Sequence, residues 1–140
     1  MENVHRIEVL SRDDCLELLG SVEVGRVVFT DRALPAILPV AFVVRDGDVV
    51  LRTADGSRLA RAARDAVLAF EADQVAAGGR GGWSVVVTGE ARLESDDLER
   101  ARLDALLTPW VPGIKDVFIR IPLTVVTGRR VVGRPVASAV

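Results

Sequence analysis

Ile37-Leu38-Pro39-Val40-Ala41-Phe42-Val43-Val44-Arg45-Asp46-Gly47-Asp48-Val49-Val50-Leu51-Arg52-Thr53 decides the architecture. Two apolar runs rich in β-branched residues flank Asp46-Gly47, a strong hairpin signal, because Gly47 supplies the positive φ that a two-residue primed turn demands. The stretch predicts antiparallel strands over 37–45 and 48–53.

Outward from the hairpin, strand signals dominate. Residues 22–30 form a β-branched run closed by Asp31-Arg32. Residues 67–71 are apolar on nearly consecutive positions, which predicts a strand covered on both faces. Residues 84–94 alternate cleanly: Val85, Val87, Gly89, Ala91 and Leu93 share one face, with Thr88, Glu90, Arg92 and Glu94 opposite. A last strand is expected over 116–132, bent at Pro122, since proline cannot donate to a central ladder.

Two helices frame these strands. Ser11 precedes Asp13-Asp14 and Gly20 follows Leu18-Leu19, which brackets a short helix with Cys15, Leu16, Leu18 and Leu19 on its buried side. Ser95-Asp96-Asp97 starts another, running to Leu107 with Leu98, Ala101, Leu103 and Leu106 near helical spacing and Pro109 as its stop. Several short antiparallel strands with two or three helices suggest a small barrel, and no βαβα alternation supports a doubly wound sheet.

Bulk properties narrow the function. The 140 residues fit one domain, with 49% hydrophobic content for a packed core. A formal net charge of −2 argues against a general nucleic-acid binder. The single cysteine, Cys15, excludes an internal disulfide framework and a thiolate metal cage, and its place in the helical pattern is that of a packed thiol. No run approaches the ~18 apolar residues of a membrane helix. The first residues show no apolar leader, so a cytoplasmic protein is expected. His5, the sole histidine, is expected in a mobile terminus, which disfavours a Ser-His-Asp machine or a histidine-rich metal site.

The segment Leu51-Arg52-Thr53-Ala54-Asp55-Gly56-Ser57-Arg58-Leu59-Ala60-Arg61 carries the chemistry. A strand ends at Thr53, a turn passes Gly56 and a helix begins near Ser57, with Arg58 and Arg61 in its first turn. Basic residues at a helix start are mildly unfavourable, by about 0.3–1 kcal/mol, unless an anion binds there. Two interpretations fit: a solvated arginine face capped by Ser57, or a phosphate cradle in which arginine clasps the anion with paired hydrogen bonds.

Thr53, Gly56, Ser57 and Arg58 resemble the stretch with which pyridoxamine phosphate oxidases grip the phosphate of flavin mononucleotide (FMN). Leu38-Pro39-Val40-Ala41-Phe42 is similar to the strand whose backbone lies along the isoalloxazine ring. Gly82-Trp83-Ser84-Val85-Val86-Val87-Thr88-Gly89 is similar to a strand of the smaller, general flavin-binding branch, where Pro109-Trp110-Val111-Pro112-Gly113 and Thr127-Gly128-Arg129-Arg130 also recur. The resemblance spans nearly the whole chain. It implies a split β-barrel of antiparallel, Greek-key type, mainly β with a few short helices, forming a single domain over 1–140 and a homodimer with the cofactor between subunits.

The resemblance further implies an FMN-dependent oxidoreductase acting on a small organic substrate, with no nucleic-acid or membrane partner. Thr53, Ser57 and Arg58 then hold the phosphate, Arg52 is a further cofactor-binding residue, Pro39, Val40 and Ala41 align the ring, and Trp83, Ser84 and Trp110 shape the substrate side. Either tryptophan could instead be core or dimer packing. The oxidases proper carry a lysine after the arginine, where this chain has Leu59. Their Arg…Leu-Leu-Lys flavin strand and C-terminal arginine pattern are absent too, which points away from pyridoxamine phosphate as substrate. A deazaflavin coenzyme, haem or bilin, or a non-catalytic storage role are the alternatives.

Two glycine-rich stretches are weaker signals. Gly78-Gly79-Arg80-Gly81-Gly82 lacks dinucleotide-loop spacing and is expected to be a flexible connection or a loop near ligand. Gly128-Arg129-Arg130-Val131-Val132-Gly133-Arg134-Pro135 lacks the lysine and Ser/Thr of a phosphate loop, which excludes nucleotide hydrolysis.

Overall fold

The computed structural model describes residues 3–135. Along the chain come β1 (Asn3–Val9), α1 (Arg12–Leu19), β2 (Val24–Asp31), β3 (Leu34–Arg45), β4 (Asp48–Thr53) and α2 (Arg58–Ala62). These are followed by β5 (Val67–Val75), β6 (Gly81–Glu90), β7 (Arg92–Leu93), α3 (Asp97–Leu106), β8 (Val117–Pro122) and β9 (Val125–Pro135). Among the described residues, nine strands form one sheet in the order β1-β9-β6-β5-β2-β3-β4-β8-β7, and every pairing is antiparallel.

The six strands from β6 round to β8 curl into a barrel. Its seam closes by contact, where Gly89 meets Pro122: a Cβ on Gly89 would lie 2.9 Å from the Pro122 carbonyl oxygen, closer than a Cβ carbon approaches such an atom. No ladder joins β6 to β8 among the described residues, so the barrel is split there. Alternate residues of each strand point inward, and Phe70, Leu51, Leu68, Val85 and Ile119 are fully buried in the interior. Phe42 and Phe70 pack with ring centroids 4.6 Å apart. A smaller core, Val50, Leu103, Leu107 and Phe118, lies where α3 covers the outer side of β4 and β8.

The Asp46-Gly47 hairpin forms as expected, with φ of 52° and 80° at its two turn residues. Ser11 caps α1 by accepting from Asp14 N at 3.1 Å. Asp96 caps α3 through Leu98 and Glu99 N–H groups.

Five expectations need correction. The strand buried on both faces is β4, not residues 67–71; β5 alternates, with Val67 65% exposed, because no helix covers its outer side. Residues 84–94 are two strands: Ala91 N donates to Ala66 O at 2.8 Å, and the chain then leaves β5 to pair with β8. The expected last strand is likewise two, β8 and β9, with different neighbours. In α3 only Leu103 is buried, whereas Leu98 and Leu106 face solvent, since the helix meets the sheet along one narrow line. His5 lies within β1, in register with Gly133 of β9. The turn residues Arg32 and Ala33, both at positive φ, also make a tight β2–β3 hairpin that sequence did not signal.

Candidate functional site

The site begins with an unpaired strand edge. β3 pairs with β2 along its first eight residues, but β4 joins it only from Phe42 onward. The segment 38–41 therefore has one edge without a neighbouring strand, to which Pro39 brings only a carbonyl, and such an edge hydrogen-bonds whatever flat polar partner lies along it. Trp110, 54% exposed, lies beside this edge and donates from Nε1 to the Pro39 carbonyl at 3.0 Å. Leu38, Pro39, Val40 and Ala41 form one wall of a cavity of about 340 Å³; Arg52, Thr53 and Leu59 form another, and Pro109, Trp110, Val111 and Lys115 a third.

At one corner the Thr53 and Ser57 hydroxyl oxygens are 3.0 Å apart, and Ser57 Oγ also accepts from Ala60 N at 3.0 Å. Two hydroxyls bring two protons, and their mutual contact consumes one, leaving the other for an anion. The helix that follows, α2, has five residues, too short for a substantial dipole, so the sequence-based dipole argument contributes little. Arg58 is exposed and reaches only Asp31, at 3.5 Å. Arg61 turns back to the Gly56 carbonyl at 2.7 Å.

Arg52 is committed to the protein. Its Nε donates to Lys115 O at 2.6 Å, one terminal nitrogen to Leu107 O at 2.7 Å and the other to Asp104 at 2.8 Å, while the guanidinium lies 4.7 Å over the Phe118 ring. Its part is to fasten the segment 107–115 that forms the cavity's outer wall.

Trp83 and Ser84 sit elsewhere. Three strand steps, β6-β5-β2-β3, separate them from the open edge, roughly 14 Å at ~4.8 Å per step. They border a second cleft of about 400 Å³ with Ile7, Glu71, Asp73 and Arg129. Trp83 is itself largely core. Within one chain, then, Pro39, Val40, Ala41, Arg52, Thr53 and Trp110 converge, Ser57 adjoins them, Arg58 stands outside, and Trp83 and Ser84 lie apart.

The second cleft holds a charge cluster that sequence reasoning missed. Arg26 on β2 bonds Glu71 at 3.2 Å and Asp73 at 3.1 Å on the neighbouring β5. Burial, then a hydrogen bond that protonated Glu71 donates to Asp73 and repulsion by the Asp73 charge, push the Glu71 carboxyl up to about 7 against the opposing pull of Arg26. Alternation on 67–75 could have placed both acids on one face, but only the β2–β5 pairing supplies the arginine. Lys115 was also missed, since it sits on a loop with no periodic signal.

The Gly78–Gly82 stretch is the tail of a 3-10 turn that connects β5 to β6 and runs into β6. A Cβ on Gly82 would collide with the Gln74 carbonyl, so the glycine is needed for backbone approach between adjacent strands.

Comparison with known proteins agrees with this architecture. A protein of Mycobacterium tuberculosis, the uncharacterized Rv0080, is 46% identical over 136 residues, covering 94% of this chain and 90% of its own. The structure of the FAD binding protein from Mycobacterium smegmatis superposes with a TM-score of 0.73 at 38% identity, over 87% of this chain and 96% of that one. A candidate pyridoxamine 5′-phosphate oxidase from Corynebacterium glutamicum gives 0.77 at 36% identity, over 89% and 98%. The family profile described as pyridoxamine 5′-phosphate oxidase matches residues 11–130, from the cap of α1 into β9. With barrel, open strand edge and profile in agreement, the chain belongs to the pyridoxamine 5′-phosphate oxidase family.

Proposed function

We propose that this protein is a cytoplasmic, homodimeric flavoprotein that binds FMN in the cavity beside the open edge of β3 and oxidises or reduces a small organic molecule. The observation that carries this is the free peptide edge at 38–41, flanked by a tryptophan and ending near a hydroxyl pair. A flat ring with alternating donors and acceptors and a phosphate tail matches that layout. The name of the Mycobacterium smegmatis relative, a FAD binding protein, supports a flavin in general.

Pro39, Val40 and Ala41 would hold the ring through their backbone, and Trp110 would cover it. Thr53 and Ser57 would offer their spare hydroxyl proton to phosphate, with Arg58 swinging from its long contact with Asp31. Arg52 holds the wall on which Trp110 is carried. Bound flavin supplies hydride chemistry; the protein's share is orientation and exclusion of water. Among the described residues, no histidine, cysteine or carboxylate lines the cavity, consistent with leaving that chemistry to a cofactor.

Dimerisation would complete the site. The outer face of the sheet carries exposed Ile7, Val9, Ile37, Val86 and Val125, an apolar surface suited to a second copy. Ser84, on the same face, would reach the cavity from the partner.

A yellow purified protein with flavin absorption bands is expected. Titration with FMN, FAD and a deazaflavin coenzyme should then rank FMN tightest. Reduction of the bound flavin by a nicotinamide nucleotide and turnover of an acceptor would support the enzyme. Tight binding with no turnover across a broad acceptor panel would replace it with a cofactor-storage role.

A further inference from the structure

Lys115 is the single lysine in a chain with 18 lysines and arginines together. It lines the cavity beside Arg52, Thr53 and Leu59. The arginines around it are tied to the protein: Arg52 to two carbonyls and Asp104, Arg61 to the Gly56 carbonyl, Arg58 towards Asp31. Among the described residues, the Lys115 ammonium has neither a carboxylate partner nor a hydrogen-bond acceptor. It is half-buried, its stem lying along the apolar cavity walls while the ammonium stays available to an anion.

Its position is set by two features. The β4–β8 ladder pairs Thr53 with Val117, so Lys115, two residues earlier, runs alongside the turn that leads from Thr53 to Ser57. The 2.6 Å bond from Arg52 to the Lys115 carbonyl fixes the backbone there and leaves the side chain free. A compact ammonium with three donors suits a phosphate as a point charge does.

We propose that Lys115 is the phosphate-binding cation of this cavity, contacting the phosphate of the bound cofactor from the side opposite Arg58. This rests on the flavin reading of the cavity and adds a residue to it.

A sole lysine makes the test direct. Reductive methylation with a carbon-13 label keeps the charge and marks Lys115 and the N-terminal amine, and Lys115→Arg assigns the resonance. FMN and inorganic phosphate should each move the Lys115 signal saturably, and riboflavin, which lacks the phosphate, should not. Lys115→Met should weaken FMN about tenfold while riboflavin changes less than about twofold, with Lys115→Arg recovering most of the loss. The Lys115→Met protein should unfold at the wild-type urea midpoint, because Arg52 grips the backbone. Equal weakening of FMN and riboflavin, or unchanged FMN affinity, would overturn the assignment. If the wild type bound no flavin while inorganic phosphate still moved the Lys115 signal, the flavin reading would fail and the anion site would stand. Were neither FMN nor phosphate to move it, Lys115 would be removed from the site.

Discussion

The two ends of β4 use charge in opposite ways. At its start, Asp48 is 3% exposed and meets Arg120, 4% exposed, at 3.1 Å; Arg92 closes on the same carboxylate at 2.6 Å. Arg120 also reaches Glu94 at 3.0 Å and Glu99 at 3.5 Å, and Arg45 joins Glu99 at 2.9 Å. Burial works against the Arg120 charge, but its hydrogen bonds to Asp48 and Glu94 outweigh that and raise its pKa above the ordinary arginine value. Every member has a partner, and the cluster fastens β7 and α3 to the barrel. At the far end, five residues later, Thr53, Ser57 and Lys115 keep donors to spare beside an open cavity. Where polar groups satisfy one another the protein gains structure, and where they are left over it gains a place to bind.

Breaking the satisfied end should have the largest effect. Asp48→Ala leaves buried Arg120 with only Glu94 and Glu99 as carboxylate partners and frees Arg92, and should cost about 3 kcal/mol in urea unfolding, the low end for removing one partner of a buried pair. Flavin affinity per folded molecule should hardly change. Arg52→Ala lies between the two ends in character. Losing its two carbonyl bonds should cost about 1.5–3 kcal/mol, and FMN should bind more weakly because the wall carrying Trp110 and Lys115 loosens. A variant with normal stability would deny Arg52 its fastening role.

At the open end the expected signature reverses. Arg58→Ala removes only an exposed side chain with one long contact, so stability should move by no more than about 0.5 kcal/mol. FMN retention should nevertheless fall about tenfold, while riboflavin binding should not, if Arg58 serves the phosphate. Unchanged retention would remove Arg58 from the site.

At neither end of β4, Glu71 has its carboxyl raised to about 7 from the ordinary 4.5. The folded chain holds this proton more tightly than the unfolded one, so the stability present below pH ~4.5 declines as pH rises to about 7 and stays lower above it. Glu71→Gln should flatten that decline and raise the unfolding midpoint at pH 8 more than at pH 5. A variant equally stabilised at both would contradict the raised carboxyl.

Much of this contrast was written locally in the sequence. Asp46-Gly47 fixed the hairpin that runs β4 between the two ends, and Ser11, Ser57 and Asp96 marked their helices, because caps and primed turns depend on a few adjacent residues. The β2–β3 turn was hidden because Arg32 and Ala33 are not residue types that advertise positive φ. The breaks at Ala91 and at Leu123-Thr124 were hidden because alternation continues while the pairing partner changes. The Asp48 network joins residues up to 75 positions apart, so no window of sequence shows it. Within the site, the motif residues of β3 and β4 could be found by resemblance. That Arg52 is engaged and Lys115 is free follows only from the packing of the 107–116 loop, and the separation of Trp83 from Trp110 only from strand order.

The central claim is that the cavity beside the open β3 edge receives a flavin, and Trp110 reports on it. In Trp83→Phe protein Trp110 is the only tryptophan left, and its emission should fall saturably as FMN is added. The midpoint should match that from quenching of flavin fluorescence. Trp110 emission that stays constant while FMN demonstrably binds would place the cofactor elsewhere and contradict the account.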